Sequence, residues 1–131
     1  MGTSDTHAFN QWMQDVWLPP LQAHYRNQTT FKSEAEHDLL KLLFKGPGEG
    51  LWQNLGYPAH LHIDLLEELQ GKGLGKSLMQ TFIKMAKDLG AQGIHLGVDG
   101  RNIRAFGFYE KLGYTILEHQ SWGSIFGLKL S

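Results

Sequence analysis

The sequence predicts an α/β fold, a mixed sheet organised around one strand–helix–strand unit, and three observations carry that expectation. Residues Ala59 to about Leu66 alternate, with His60, His62 and Asp64 on one side and Leu61, Ile63 and Leu65 on the other. A glycine-rich segment, Gln70-Gly71-Lys72-Gly73-Leu74-Gly75-Lys76, then opens a helical pattern running to Leu89, with Leu74, Leu78, Phe82, Met85, Ala86 and Leu89 as its apolar stripe. Gly93 to Asp99 alternates again, Ile94, Leu96 and Val98 against His95, Gly97 and Asp99. Two strands joined through a helix in so short a span run parallel with a right-handed crossover.

The flanking elements follow from the same rules. Thr6 to Trp17 reads as a helix, and its stripe of Phe9, Trp12, Met13, Val16 and Trp17 is expected to pack into a core. Pro19-Pro20 is expected to end it, with Leu21 to Tyr25 adding another turn or two. Ser33 and Glu36 have capping-box spacing, so a second helix starts there. It is expected to bury Leu39, Leu40, Leu42, Leu43 and Phe44 and to stop at Gly46-Pro47-Gly48-Glu49-Gly50. Past the central unit, Asn102 caps a helix from Ile103 to Leu112 that buries Ala105, Phe108, Tyr109 and Leu112. Tyr114 to Glu118 and Ser124 to Leu130 form an antiparallel hairpin around Trp122-Gly123.

A chain of 131 residues is expected to make one domain, with a helical part over 1–58 and a core over 59–131. A formal net charge of -1 gives no general attraction to nucleic acid or to an anionic membrane. The chain has no cysteine, which rules out disulfides, thiolate metal sites and a cysteine nucleophile, and fits a cytoplasmic setting. No apolar run is long enough to span a bilayer.

The glycine-rich segment is where chemistry concentrates. A glycine turn between strand and helix presents unpaired N–H groups beside the positive end of the helix dipole, which favours phosphate. Lys72 and Lys76 add charge. A P-loop would place its first glycine at position 70, which is Gln70, and a dinucleotide fingerprint would place its third glycine one residue after Gly75. The segment does fit Gln/Arg-x-x-Gly-x-Gly/Ala through Gln70, Gly73 and Gly75. A turn that only links strand to helix is the bland alternative. The polar positions His60, His62, Asp64, His95 and Asp99 share strand faces and lack a tight metal-ligand motif; the wall of an acceptor pocket is preferred to zinc, and a hydrogen-bonded or partly exposed side chain is the reading for any single one of them.

That loop pattern resembles the pyrophosphate loop of the GNAT N-acetyltransferase superfamily. Asn102-Ile103-Arg104-Ala105-Phe106-Gly107-Phe108-Tyr109-Glu110-Lys111-Leu112-Gly113-Tyr114 resembles the family's Asn-x-x-Ala-x-x-Phe-Tyr-x-Lys-x-Gly-Phe/Tyr segment, in the right order. Gly2 to Thr6, Trp17 to Tyr25, Ser33 to Glu36 and Tyr57-Pro58 resemble the acetyltransferase-like domain at the C-terminus of O-GlcNAc hydrolases and its stand-alone bacterial relatives. Eukaryotic hydrolase-linked domains have lost the glycine loop; this chain keeps it.

The resemblance implies acetyl-CoA as co-substrate, no metal, and direct transfer of its acetyl group to a primary amine on a small molecule or a protein. The backbone of Leu65, Leu66 and Glu67 is implied to bind the pantetheine arm and the thioester carbonyl, residues Gln70, Gly71, Lys72, Gly73, Leu74, Gly75 and Lys76 the pyrophosphate, and Asn102 the pantetheine. Tyr109 is implied to protonate the leaving thiolate. Asp64 and Asp99 are the leading candidates for the base, with His62 and Glu67 behind and a water chain as the alternative, and His62 and Asp99 also stand on the acceptor side. The alternative is a non-catalytic module for protein contact or acetyl-CoA sensing. The family fold opens with strands for which this sequence has no room. The edge along Ala59 to Leu66 is therefore expected to be open unless another chain, such as a second copy in a homodimer, covers it.

Overall fold

The computed structural model describes residues 1–48, 52 and 55–131. Of the expected helix stop at Gly46 to Gly50, residues Glu49 and Gly50 lie outside the described residues. The elements are β1 (Gly2–Thr3), α1 (Thr6–Trp12), α2 (Leu18–Tyr25), α3 (Glu34–Lys45), β2 (Ala59–Leu61), α4 (Leu74–Asp88), β3 (Gly93–Asp99), α5 (Ile103–Lys111), β4 (Thr115–Gln120) and β5 (Gly123–Lys129). They form two compact units, one of Met1–Thr6 with Leu51–Ser131 and one of His7–Gly50. No helix among the described residues is long and apolar enough to cross a membrane.

In the first unit the strands run in the order β1-β2-β3-β5-β4. β2 and β3 are parallel, with Ala59 opposite Ile94 and His60 opposite His95, and α4 connects them, so the expected central unit is present. β4 and β5 form the expected antiparallel hairpin, and β5 also pairs antiparallel along the whole of β3. Two expectations at the sheet edge are corrected. The edge at Ala59 is not open: β1 pairs with β2, Gly2 opposite Leu61 and Thr3 opposite His60. The N–H of His62 extends that pairing by donating to the Met1 carbonyl at 2.7 Å. The strand expected to reach Leu66 also ends at Leu61, and past the His62 contact residues 63–66 leave the sheet.

The core lies on one face of this sheet. Ala59, Leu61, Ile94, Leu96, Val98 and Phe126 meet Met79, Phe82 and Ala86 from α4 and Tyr109 from α5. Met79, Ile94 and Phe126 are fully buried, each contributing about 1.5–3 kcal/mol. The expected stripe of α4 is partly corrected. Phe82 and Ala86 face the core, but Leu74, Leu78, Met85 and Leu89 are 40–65% exposed. The apolar sector of this helix is wider than the sheet can cover, and the covered half is centred on Met79, which the stripe omitted.

The hairpin imposes one severe steric constraint. A Cβ on Gly123 would lie 2.0 Å from the Val98 carbonyl oxygen and 2.9 Å from the Gly100 nitrogen, both backbone atoms. Gly123→Ala is therefore expected to cost about 3 kcal/mol, because the backbone of two strands must separate to admit one methyl. The thermal midpoint should fall on the order of 10 °C, and an unchanged midpoint would refute the constraint.

The second unit corrects the sequence reading in two ways. Pro19-Pro20 does not end the helix. A widened π turn over Met13–Trp17 leads into α2, and the N–H of Leu18 donates to the Met13 carbonyl five residues back. Widening the turn relieves the clash that each proline ring makes with a carbonyl one turn earlier, and the prolines sit in the first turn, where a missing N–H costs little. The apolar stripes are also less buried than expected. Trp12, Val16 and Trp17 are 45–57% exposed, and Leu39, Leu42 and Phe44 are 46–66% exposed. A short helical unit has too little surface to cover both faces of its helices. The cap of α3 is as expected, the Ser33 hydroxyl accepting from the Glu36 N–H at 3.1 Å; the Glu36 carboxylate in turn accepts from the Lys32 N–H.

Candidate active site

In the first unit, a cleft of about 550 Å³ lies where the chain leaves the sheet after β2. Ile63, Asp64 and Leu65 form one wall, the glycine loop an end, and the inner face of α5 the opposite wall. The loop is built from a 3₁₀ turn at Glu67–Leu69 followed by Gly71 and Gly73 with φ of 73° and 76°. Only glycine takes that conformation without strain. Gly73 is the N-cap of α4 and has no side chain to accept a hydrogen bond, so the cap itself gives the first-turn N–H groups no side-chain partner. A Cβ on Gly73 would meet nothing within 4 Å, so the loop opens onto free space.

α5 presents its residues at helical spacing. Asn102, Ala105, Tyr109 and Leu112, with Arg104, Phe108 and Lys111, line the cleft. Asn102 caps α5, its side-chain oxygen accepting from the Ala105 N–H at 3.1 Å, which leaves its amide nitrogen as the group able to donate. Of the residues implicated by sequence, Asp64, Leu65, Gln70, Gly71, Gly73, Gly75, Lys76, Asn102 and Tyr109 line this cleft. Leu66, Glu67, Lys72, Leu74, His62 and Asp99 are not among its lining residues. Arg104 and Lys111 also line the cleft, and the motif spacing assigns neither of them a role. Among the described residues, the lining carries Lys76, Arg104 and Lys111 against the single acid Asp64, a balance suited to a polyanion.

Tyr109 is 8% exposed, and its ring packs edge-on against Phe108 and Tyr114. Its hydroxyl makes no hydrogen bond among the described residues. Burial first, and the Asp64 carboxylate second, push its pKa above the usual tyrosine value, so it is a neutral donor at physiological pH. Asp99 is engaged elsewhere. Arg101 grips it with Nε at 2.9 Å and Nη2 at 2.8 Å, and holds its carboxyl well below the usual range.

His60 and His95 lie side by side on the sheet, rings 5.5 Å apart. His95 Nδ1 donates to the Tyr57 carbonyl at 2.7 Å, and His60 Nδ1 lies 2.7 Å from the Thr6 hydroxyl. Burial, then the neighbouring His95 and His62, push the pKa of His60 from 6.5 down to about 4. The unfolded chain then takes up the proton first. Stability is fully present above the ordinary histidine pKa and is lost as pH falls from about 6.5 toward 4. Thermal midpoints across that window should fall, and His60→Gln should flatten the slope. An equally steep slope in the variant would assign it to other groups. Among the described residues, no group of three or more histidines and acids is arranged to hold a metal.

A five-stranded mixed sheet whose second strand pairs with the third at two positions and leads to a glycine loop at a helix start defines an α/β protein with a cleft suited to a phosphate-bearing ligand. The chain belongs to the acetyltransferase (GNAT) family, whose family model matches residues 48–114. It is similar to the crystal structure of SsHAT, with TM-score 0.80 and 30% identity over 98% of this chain and 63% of that one. It is also 39% identical over 56 residues to the uncharacterised N-acetyltransferase YvbK of Bacillus subtilis, which is 43% of this chain and 36% of that protein. The chain thus spans about a third of that curated relative's length. The PaiA N-acetyltransferase of Thermoplasma acidophilum, solved with coenzyme A, shares the fold at TM-score 0.53 and 18% identity, over 99% of this chain and 98% of that one.

Proposed function

We propose that the chain transfers the acetyl group of acetyl-CoA directly to a primary amine. The observation that supports this best is the cleft itself, which joins a capless helix start and the cations Lys76, Arg104 and Lys111 to a buried neutral phenol, Tyr109. Acetyl-CoA would supply an activated thioester. The open N–H groups of α4 and Lys76 would hold its pyrophosphate, as phosphate is held at other helix starts. The backbone of Leu65, Leu66 and Glu67, released from strand pairing, would bind the arm, and Asn102 would donate to it. As the acceptor nitrogen bonds to the acetyl carbon and the carbon–sulfur bond breaks, Tyr109 would give its proton to the departing sulfur. Asp64, the one acid lining the cleft among the described residues, would draw the cationic amine in and take its proton. His62 would stand on the acceptor side; Asp99 has less support, because Arg101 occupies it.

The finer likeness to the domain at the C-terminus of O-GlcNAc hydrolases rests on Gly2 to Thr6, Trp17 to Tyr25, Ser33 to Glu36 and Tyr57-Pro58. A second reading, a non-catalytic module for protein contact, is favoured by the exposed Leu39, Leu42 and Phe44 on α3. Isothermal titration of the purified chain with acetyl-CoA, followed by thiol release in the presence of amines, separates the two. Micromolar binding with turnover supports the enzyme; a folded chain that does not bind supports the module.

A further inference from the structure

The cofactor reading needs the backbone of residues 63–66 held in one orientation, yet strand pairing does not hold it, because β2 ends at Leu61. Two contacts do. The Leu65 side chain packs at the start of α4, its Cδ1 3.3 Å from where a Cβ of Gly75 would lie. The Leu65 carbonyl accepts from Gln70 Nε2 at 3.1 Å, and Gln70 Oε1 accepts from Arg104 Nη1 at 3.1 Å. Both ends of the Gln70 amide are therefore engaged, and the group cannot turn without losing a bond. Arg104 sits in the first turn of α5, so this relay ties α5 across the cleft mouth to the segment that left the sheet.

We propose that Arg104 and Gln70 form a strap that positions the backbone around Leu65 for the thioester arm, with Arg104 acting through Gln70 rather than on the phosphates. The inference rests on the acetyl-CoA reading and adds to it a positioning residue outside the glycine loop. A planar guanidinium suits the task, because it donates in a fixed direction and keeps its charge at any working pH. Its geometry here is spent on a neutral amide rather than a carboxylate, so it orients that amide without being neutralised.

The test uses the whole chain with Arg104→Leu, Gln70→Leu and the double variant. In the unliganded chain, ¹⁵N relaxation should show faster motion at the Leu65 and Leu66 amides in both single variants. Each should weaken acetyl-CoA binding about tenfold, the size expected for one hydrogen bond to a charged group. The double variant should be no weaker than the weaker single, since the two residues act as one unit. Arg104→Lys should recover part of the affinity. S-acetylpantetheine, which has no phosphate, should lose affinity by the same factor as acetyl-CoA. Unchanged relaxation, additive losses, or a loss confined to acetyl-CoA would each overturn the strap, the last by showing that Arg104 acts on phosphate. If the wild-type chain binds no acetyl-CoA, the cofactor reading falls and the positioning role with it. The relaxation data would still report whether the two side chains order the segment.

Discussion

Replacing Gly73 by glutamate is expected to abolish acetyl-CoA binding while the chain stays folded. The position has φ of 76°, so a side chain there costs on the order of 1 kcal/mol of strain. No atom lies within 4 Å of the added Cβ, so packing adds nothing to that cost. The functional loss is far larger. Gly73 lines the cleft and starts the helix whose open N–H groups are proposed to hold the pyrophosphate. A carboxylate there fills the approach, competes for the same donors and repels two phosphates at close range. Titration should show affinity reduced by more than about 100-fold, beyond the two decades that 2.7 kcal/mol represents. The thermal midpoint should fall by only a few degrees. Gly73→Ala separates the terms: it keeps the strain without the charge and should lose much less affinity. Equal binding by wild type and Gly73→Glu would remove the loop from the site.

Tyr109→Phe is the second large expected effect, and it is confined to the chemical step. The phenol makes no hydrogen bond among the described residues, so its removal takes nothing from the core, and the ring contacts with Phe108 and Tyr114 stay. Turnover should fall about 100-fold, the lower end of what a positioned proton donor contributes, with acetyl-CoA affinity within twofold of wild type. The pH dependence carries a sign. Burial and Asp64 raise the Tyr109 pKa, so the protonated donor persists past the ordinary tyrosine value near 10. The wild-type rate should therefore show no alkaline loss from this group below about pH 10. A Tyr109→Phe chain that turns over at the wild-type rate would assign proton delivery to water instead.

The elements read from sequence were those whose signals are local. The alternation in Gly93 to Asp99, the caps at Ser33 and Asn102, and the hairpin around Trp122-Gly123 each depend on a few adjacent residues, and the structure shows all of them. β1 could not be read this way, because two residues carry no period; only its pairing with Leu61 and His60 defines it. Helical phase gave the direction of the apolar side of α4 but not its covered width, which is set by how much sheet lies beneath. The π turn before Pro19 reflects a compromise between two prolines and a continuing helix, which the rule that proline ends a helix does not anticipate. At the site, Gly73 and Tyr109 could be placed from motif spacing. Arg104 could not, since what marks it is a bond to Gln70, 34 residues away along the chain.

The uneven stitching of the sheet sets the order in which it comes apart. β3 is matched to β5 residue by residue from Gly93 opposite Lys129 to Asp99 opposite Gly123, whereas β2 is matched to β3 only at Ala59 and His60. The seam beside the cleft is thus as short as the one between β1 and β2, and these two are the shortest in the sheet. Fluctuations should unzip β1 and β2 together as a flap long before the β3–β5–β4 slab loosens. Amide exchange at Ala59 and Leu61 should run ahead of that at Leu96 and Val98. Any ligand bridging the cleft walls would act as the missing stitches, slowing exchange most where the protein's own bonds are fewest.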